Sequence, residues 1–218
     1  MIRIIERVDS NRHPQLMDKM FRMRAEVFSD RLGWEVNVID GREIDRFDDA
    51  DPLYLLSVDH AGLLQGAVRL LPTTGPNMLR DVFAALMPGG AVESPLIWES
   101  SRFAIDPHVV GAASRRDANH IVNRTTIELL CGIVEVCRKA GVEHVVSVFD
   151  ARMARIFRAA DCPFETIGTP ARIGKVMAYA GLFEISDDMR ERLARIVQMP
   201  QTVLASEETF SRDSETVR

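Results

Sequence analysis

Apolar positions recur along this chain with two different periods. From Pro14 onward, Leu16, Met20, Met23 and Val27 form one helical stripe, and Met17, Phe21, Arg24 and Phe28 form the adjacent one, which predicts an amphipathic helix. Residues 1–8 alternate loosely and predict a first strand. Two β-like runs, 53–58 and 64–71, flank Asp59-His60-Ala61-Gly62, a hairpin signal in which Gly62 supplies the turn. Pro72 ends the second run, and residues 79–86 read as a short helix. A further strand over 96–105 stops at Asp106-Pro107. Residues 117–139 read as a long helix ended by Gly141, and 142–149 as a buried strand. Asp150 is placed to cap a helix over 151–160, because its carboxylate can accept the free amides of the first turn. A strand over 175–185 and a last helix begun by Ser186, with Asp187 and Asp188 at its positive end, complete the pattern. Between them, residues 29–52 keep no period and read as a long loop, a length that in a compact domain usually carries function. The order implies an α/β fold, a mixed sheet covered by helices on both faces, in one domain over 1–205 with a mobile tail over 206–218.

Composition narrows the class. Of 218 residues, 46% are hydrophobic and 27% charged, with only 13 Gly and 10 Pro, which excludes a disordered or collagen-like chain. A net charge of −5 argues against a nucleic-acid partner. No run approaches the roughly 18 apolar residues of a membrane span, and the first residues do not resemble an export signal, so a cytoplasmic location without a membrane partner is expected. Cys131, Cys137 and Cys162 show no metal-ligand spacing and read as buried thiols of a reducing compartment.

Four places conflict with folding alone. Arg24 stands on an apolar stripe. Residues 40–51 hold six acids (Asp40, Glu43, Asp45, Asp48, Asp49 and Asp51) against Arg42 and Arg46, without the spacing of a calcium loop. Arg69 lies inside a strand that reads as buried, so it needs a carboxylate partner, and the acidic segment is the obvious source. In Trp98-Glu99-Ser100-Ser101-Arg102-Phe103, Glu99 and Arg102 would face opposite sides of a regular strand, and only a bulge would bring both to one site. No Gly-x-Ser-x-Gly, His-Glu-x-x-His, Cys-x-x-Cys or Gly-x-Gly-x-x-Gly occurs, so chemistry must rest on carboxylates, arginines and backbone groups.

These same residues carry a resemblance. Arg24-Ala25-Glu26-Val27-Phe28-Ser29-Asp30-Arg31-Leu32-Gly33-Trp34, then Glu43-Ile44-Asp45-Arg46-Phe47-Asp48, Arg69, Thr73-Thr74-Gly75-Pro76-Asn77-Met78-Leu79 and the Trp98–Phe103 stretch together resemble the LuxI-type acyl-homoserine lactone synthases, the autoinducer synthases of bacterial quorum sensing. The likeness covers roughly residues 1–185. It implies a GNAT-like three-layer sandwich whose mixed central sheet splays into a V-shaped cleft. It also implies S-adenosylmethionine as a substrate rather than a cofactor, an acyl thioester (acyl-acyl carrier protein or acyl-CoA) as donor, and no metal.

On that resemblance, Arg24, Phe28, Trp34, Asp45, Asp48, Arg69 and Phe103 would bind substrate, the two aromatics facing the adenine or sulfonium. Glu99 would take the proton of the amine, with Arg102 and Ser101 beside it. Ser147 aligns with a position that meets the third carbon of some acyl chains, although a serine satisfied by backbone fits the sequence equally well. Arg152, Arg155 and Arg158 recur every third residue on one helix and would offer a basic face to an acidic carrier protein. Two rivals stand beside this reading: a GNAT-type N-acyltransferase using acyl-CoA, and a binding protein without turnover. The stretch 110–117 lacks the glycine arrangement with which the first of these cradles pyrophosphate, and the presence of Glu99 with both aromatics disfavours the second.

Overall fold

A computed structural model describes residues 1–108 and 115–205. The tail expected over 206–218 and most of the 110–117 stretch lie outside the described residues. Seven strands form one sheet: β1 (Ile2–Glu6), β4 (Leu53–Val58), β5 (Leu64–Pro72), β6 (Ile97–Ile105), β7 (His144–Asp150), β9 (Val176–Glu184) and β8 (Glu165–Ile173), in that spatial order. Among the described strands only the β6–β7 pair is parallel; every other strand pair is antiparallel. A separate pair, β2 (Val38–Ile39) with β3 (Arg42–Glu43), lies inside the segment expected to be a loop. That segment also holds a 3-10 turn over Arg46–Asp49, so it is built rather than free.

Alternation along the strands divides the interior. Leu55, Val68, Leu70, Val145, Phe149 and Phe183 face one layer of helices: α3 (Arg115–Lys139), α4 (Ala151–Ala159) and α5 (Asp187–Val197). Tyr54, Leu56 and Ala67 face α1 (Pro14–Arg24) on the other side. These are the three layers and the mixed sheet that the sequence implies. Asp150 and Ser186 cap α4 and α5 as expected, accepting the amides of Met153 and Met189. All three cysteines are free and buried, and burial pushes each thiol up to about 12. Among the described residues no helix is long and apolar enough to cross a membrane.

Three differences from the sequence reading matter for the site. The first helix does not run on as α-helix. After Arg24 its winding widens into a π-helical stretch, Ala25–Arg31, with the amide of Leu32 reaching back to the Val27 carbonyl. The helix expected over 79–86 is two short pieces, α2 (Met78–Asp81) and a 3-10 turn over Ala84–Leu86. Strand β8 has no counterpart in the hydrophobic pattern of the sequence.

Candidate active site

The parallel pair is short. β6 and β7 are in register only from Ile97 opposite His144 to Ser100 opposite Ser147, and beyond that point they part. At the fork the Ser147 hydroxyl donates to the Ser100 carbonyl, 2.9 Å away. Beyond it, residues 101–105 keep β5 on one side and have no paired strand on the other. A V-shaped gap in the middle of the sheet is therefore a consequence of where one ladder ends.

A bulge lies just past the fork. Ala67 pairs with Ala104 and Arg69 with Ser101, so β6 carries one extra residue. Arg102 takes a left-handed backbone with φ of 54°, which for a residue with a Cβ costs roughly 1–3 kcal/mol and persists only where the surroundings impose it. The result is that Glu99, Ser101 and Arg102 all contact groups on the α1 side of the sheet. Arg69 Nε donates to Ser101 Oγ, Arg102 Nη1 reaches Met78 Sδ, and Glu99 accepts the amide of the same Met78. The realignment that the sequence required for a common site is present.

What imposes this backbone is a closed set of charges. Arg24, 1% exposed, donates from Nε to Glu43 at 2.6 Å and from both terminal nitrogens to Asp48 at 2.8 and 2.9 Å. Arg69 meets Asp45 at 2.6 and 3.1 Å and Asp48 at 2.8 Å. Arg102 meets Glu43 at 2.8 Å and Asp45 at 2.8 Å. The Tyr54 hydroxyl donates to Asp48 at 2.8 Å. Three guanidinium groups thus face three carboxylates, which meets the requirement that buried charges be paired and hydrogen-bonded. Burial alone would raise Asp48, yet Arg24 and Arg69 prevail and hold its carboxyl well below the usual range. Glu43 is the member that the sequence left among the loop acids. It is wholly buried and joins Arg24 to Arg102.

Glu99 is held differently. Its two oxygens accept the amides of Met78 at 2.9 Å and Leu79 at 2.5 Å, which fastens it to the first turn of α2. Asn77 caps that turn through the Arg80 amide and donates to the carbonyls of Thr73 and Gly75, so the whole 73–79 stretch is folded around this carboxylate. Burial raises the Glu99 carboxyl above its ordinary value, against the two amides that favour its charged form.

The π-helical widening sets the aromatic wall. The amide of Trp34 returns to the Phe28 carbonyl, and the two rings lie 5.4 Å apart, tilted by 31°. The Arg102 guanidinium sits 5.2 Å from the Phe28 ring centroid, so one face of that ring is already occupied by a cation. The indole N–H of Trp34 is buried and has no acceptor among the described residues.

A cavity of about 330 Å³ joins these parts. Phe28, Trp34, Met78, Glu99 and Arg102 line it on the α1 side; Ser101 and Ser147 line it at the fork. Leu130, Ile133, Phe149, Phe157 and Phe183 line it on the other side of the sheet. Phe103 also borders it. Arg24, Asp45, Asp48 and Arg69 do not; they stand behind the wall and hold its residues in place. Arg152 borders the cavity, while Arg155 and Arg158 are exposed on α4, Arg158 resting 5.6 Å from the Phe164 ring.

Known proteins resemble this chain in sequence and in fold. The sequence profile of the autoinducer synthases matches residues 9–193. An acyl-homoserine-lactone synthase of Agrobacterium fabrum is 40% identical over 172 residues, covering 78% of this chain and 79% of that protein. An isovaleryl-homoserine lactone synthase of Bradyrhizobium diazoefficiens is 29% identical over 205 residues, covering 93% and 88%. Among solved structures, the CoA-dependent acyl-homoserine lactone synthase BjaI, determined with SAM and isopentyl-CoA, superposes with a TM-score of 0.79 at 27% identity, covering 98% of each chain. With a profile match over most of its length and a cleft built by the residues that carried the resemblance, this chain belongs to the autoinducer synthase family, the acyl-homoserine-lactone synthases.

Proposed function

We propose that the chain joins the amine of S-adenosylmethionine to the acyl group of a thioester and releases an N-acyl-homoserine lactone, methylthioadenosine and the free thiol carrier. The observation that supports this most directly is a continuous cavity crossing the sheet at the β6–β7 fork. It offers a polar, aromatic compartment on one side and an apolar arm on the other, the two environments that a charged nucleotide-linked amino acid and an acyl chain require.

In this reading Phe28 and Trp34 bound the sulfonium compartment, and the unpartnered indole N–H of Trp34 donates to an acceptor on that substrate. Glu99 accepts a proton from the ammonium, directly or through water, and its burial-raised carboxyl suits it to do so. The amine then attacks the thioester carbonyl. Backbone amides of β6 beyond the fork stabilise the oxyanion, and the C–S bond breaks to release the thiol. In the second step the methionyl carboxylate attacks the carbon bearing the sulfonium, closing the lactone and expelling methylthioadenosine, a step that depends mainly on proximity. Arg102 borders the compartment, while Arg24, Arg69, Asp45 and Asp48 position it. The Ser147 hydroxyl donates to the Ser100 carbonyl and, lining the cavity, retains acceptor capacity for an acyl substituent.

The donor is proposed to arrive on acyl carrier protein, docked on the basic face of Arg152, Arg155 and Arg158. The likeness to CoA-dependent BjaI favours a second reading in which acyl-CoA serves instead. A cytoplasmic setting suits both substrates and the three unpaired thiols. Incubating the purified protein with S-adenosylmethionine and each donor in turn, with mass spectrometry of products, tests all of this. Lactone and methylthioadenosine formed only when a donor is present are the expected result. Methylthioadenosine without an acylated product, or binding without turnover, would overturn the reading.

A further inference from the structure

The apolar arm of the cavity ends on aromatic rings, and one of them depends on a glycine. Gly181 lies in the middle of β9, buried and paired with Ser147. Its backbone does not take the left-handed form, so it is not required for conformation there. A glycine inside a strand weakens it and marks a place where something approaches the backbone closely. Here that something is Phe149. A Cβ at position 181 would stand 2.6 and 2.8 Å from Cε1 and Cζ of the Phe149 ring and 3.3 Å from Cδ2 of Phe164.

The Phe149 ring has little room to give. Phe157 and Phe164 meet it edge to face with centroids 5.1 and 4.9 Å away, and Phe183 and Tyr179 follow at 6.0 and 6.4 Å. Interiors packed this closely do not absorb an added methyl in place; the side chain moves toward empty space. The empty space beside Phe149 is the cavity that it lines.

We propose that Gly181 is a positioning residue for acyl-group selection: by leaving room for the Phe149 ring on the β9 backbone, it sets how deep the apolar arm runs. This rests on the reading that the arm receives the acyl chain. Gly181 itself touches no substrate; Phe149 is the surface that the end of the chain meets. A hydrophobic pocket discriminates one methylene by about 10- to 200-fold in kcat/KM, so a small movement of this ring changes which donor is preferred.

The experiment uses the full chain and a graded series of straight-chain acyl thioesters, on whichever carrier the wild type accepts, with lactone quantified for each. Gly181→Ala should shift the optimum to shorter chains, with kcat/KM for the longest chain that the wild type accepts falling about 10- to 200-fold per methylene excluded. The KM for S-adenosylmethionine should not move. Phe149→Leu should shift the optimum to longer chains, and the double variant should regain chains lost to Gly181→Ala alone. If Gly181→Ala does not fold, Phe149→Leu decides: an unchanged length profile overturns the proposal. So does an equal fall for every chain length in Gly181→Ala. Lactone from the wild type with unshifted variants defeats this inference alone; no lactone from the wild type with any donor defeats the functional reading and this inference with it.

Discussion

Glu43 and Arg102 are 59 residues apart in sequence and lock together in the interior, the carboxylate accepting from Nη2 at 2.8 Å and from Nε at 3.1 and 3.2 Å. The pair explains how a non-glycine residue is kept in the left-handed conformation. Arg102 is gripped from the β3 side while the bulge in β6 turns it there, and Asp45 takes the same guanidinium from the adjoining turn. The acidic segment is fastened by three arginines from three elements, Arg24 of α1, Arg69 of β5 and Arg102 of β6, and this network shapes the cavity wall.

Replacing Glu43 by Gln should therefore cost more than a loop substitution would. The amide leaves Arg24 and Arg102 with excess buried charge, a loss of about 3–5 kcal/mol when one member of a buried pair is removed. Urea unfolding of the variant measures it. Turnover should fall as well, because Arg102 loses the grip that pays for its backbone, whereas substituting the exposed Asp49 should change neither by more than about 0.5 kcal/mol or its equivalent in rate.

Glu99→Gln should lower kcat by about 10²- to 10⁴-fold, the usual contribution of a positioned base, while changing the KM for S-adenosylmethionine little. The amide keeps one acceptor for the Met78–Leu79 turn and loses the other, so a thermal melt belongs beside the kinetics. A fall in kcat without a matching fall in melting temperature supports the proton-transfer role. Equal losses of kcat and substrate affinity would assign Glu99 to binding.

The elements that alternate or repeat cleanly were legible in the chain, and those whose reason lies in a distant partner were not. Arg24 and Arg69 stand out because a charge interrupts an apolar pattern; Arg69 is buried and paired as a strand interior requires, and Arg24, whose place on a helix would also allow it to snorkel or pair locally, is buried and paired as well. Glu43 carries no such mark. It sits among acids of which Asp40, Asp49 and Asp51 are exposed, and only the fold separates it from them. Strand β8 escaped because its Gly168-Thr169-Pro170 stretch is exposed and irregular, with no alternation to read. Gly168 takes a left-handed φ of 65° and lies where a Cβ would collide with the Leu86 carbonyl, a constraint set by a segment 82 residues earlier. The π-helical turn was equally hidden, since its consequence is a ring pair, Phe28 with Trp34, rather than a change in hydrophobic period.

The acid side of the stability curve should carry the signature of Asp48. Its folded-state carboxyl is held below the unfolded value of about 3.9, so its contribution is complete above that pH and disappears as pH falls through the lower, folded value. Glu99 runs the other way: its raised carboxyl favours the folded state at low pH and loses that contribution as pH rises through the folded value. Asp48→Asn removes the first dependence and leaves the second. Unfolding free energy followed from neutral pH downward should drop for the wild type below about pH 4 and stay flatter for the variant, which starts about 3–5 kcal/mol lower. Parallel curves would show that the ion pairs of Asp48 do not stabilise the fold.

The basic face of α4 should distinguish a carrier-bound donor from a small acyl thioester. Arg155 and Arg158 are exposed, and Arg152 borders the cavity near Arg31, whose own charge it disfavours after burial does. A partner bearing negative charge relieves that repulsion. Arg152→Glu with Arg155→Glu should weaken reaction with acyl-acyl carrier protein at least tenfold, mainly through KM and more at low than at high salt, because exposed charges act over about 10 Å at 0.1 M ionic strength. A small acyl thioester lacking both the carrier and the nucleotide should be used as well as before. Uniform loss with both donors would place these arginines in the structure of the cleft mouth rather than in docking, and no loss with either would leave the face without a role in donor choice.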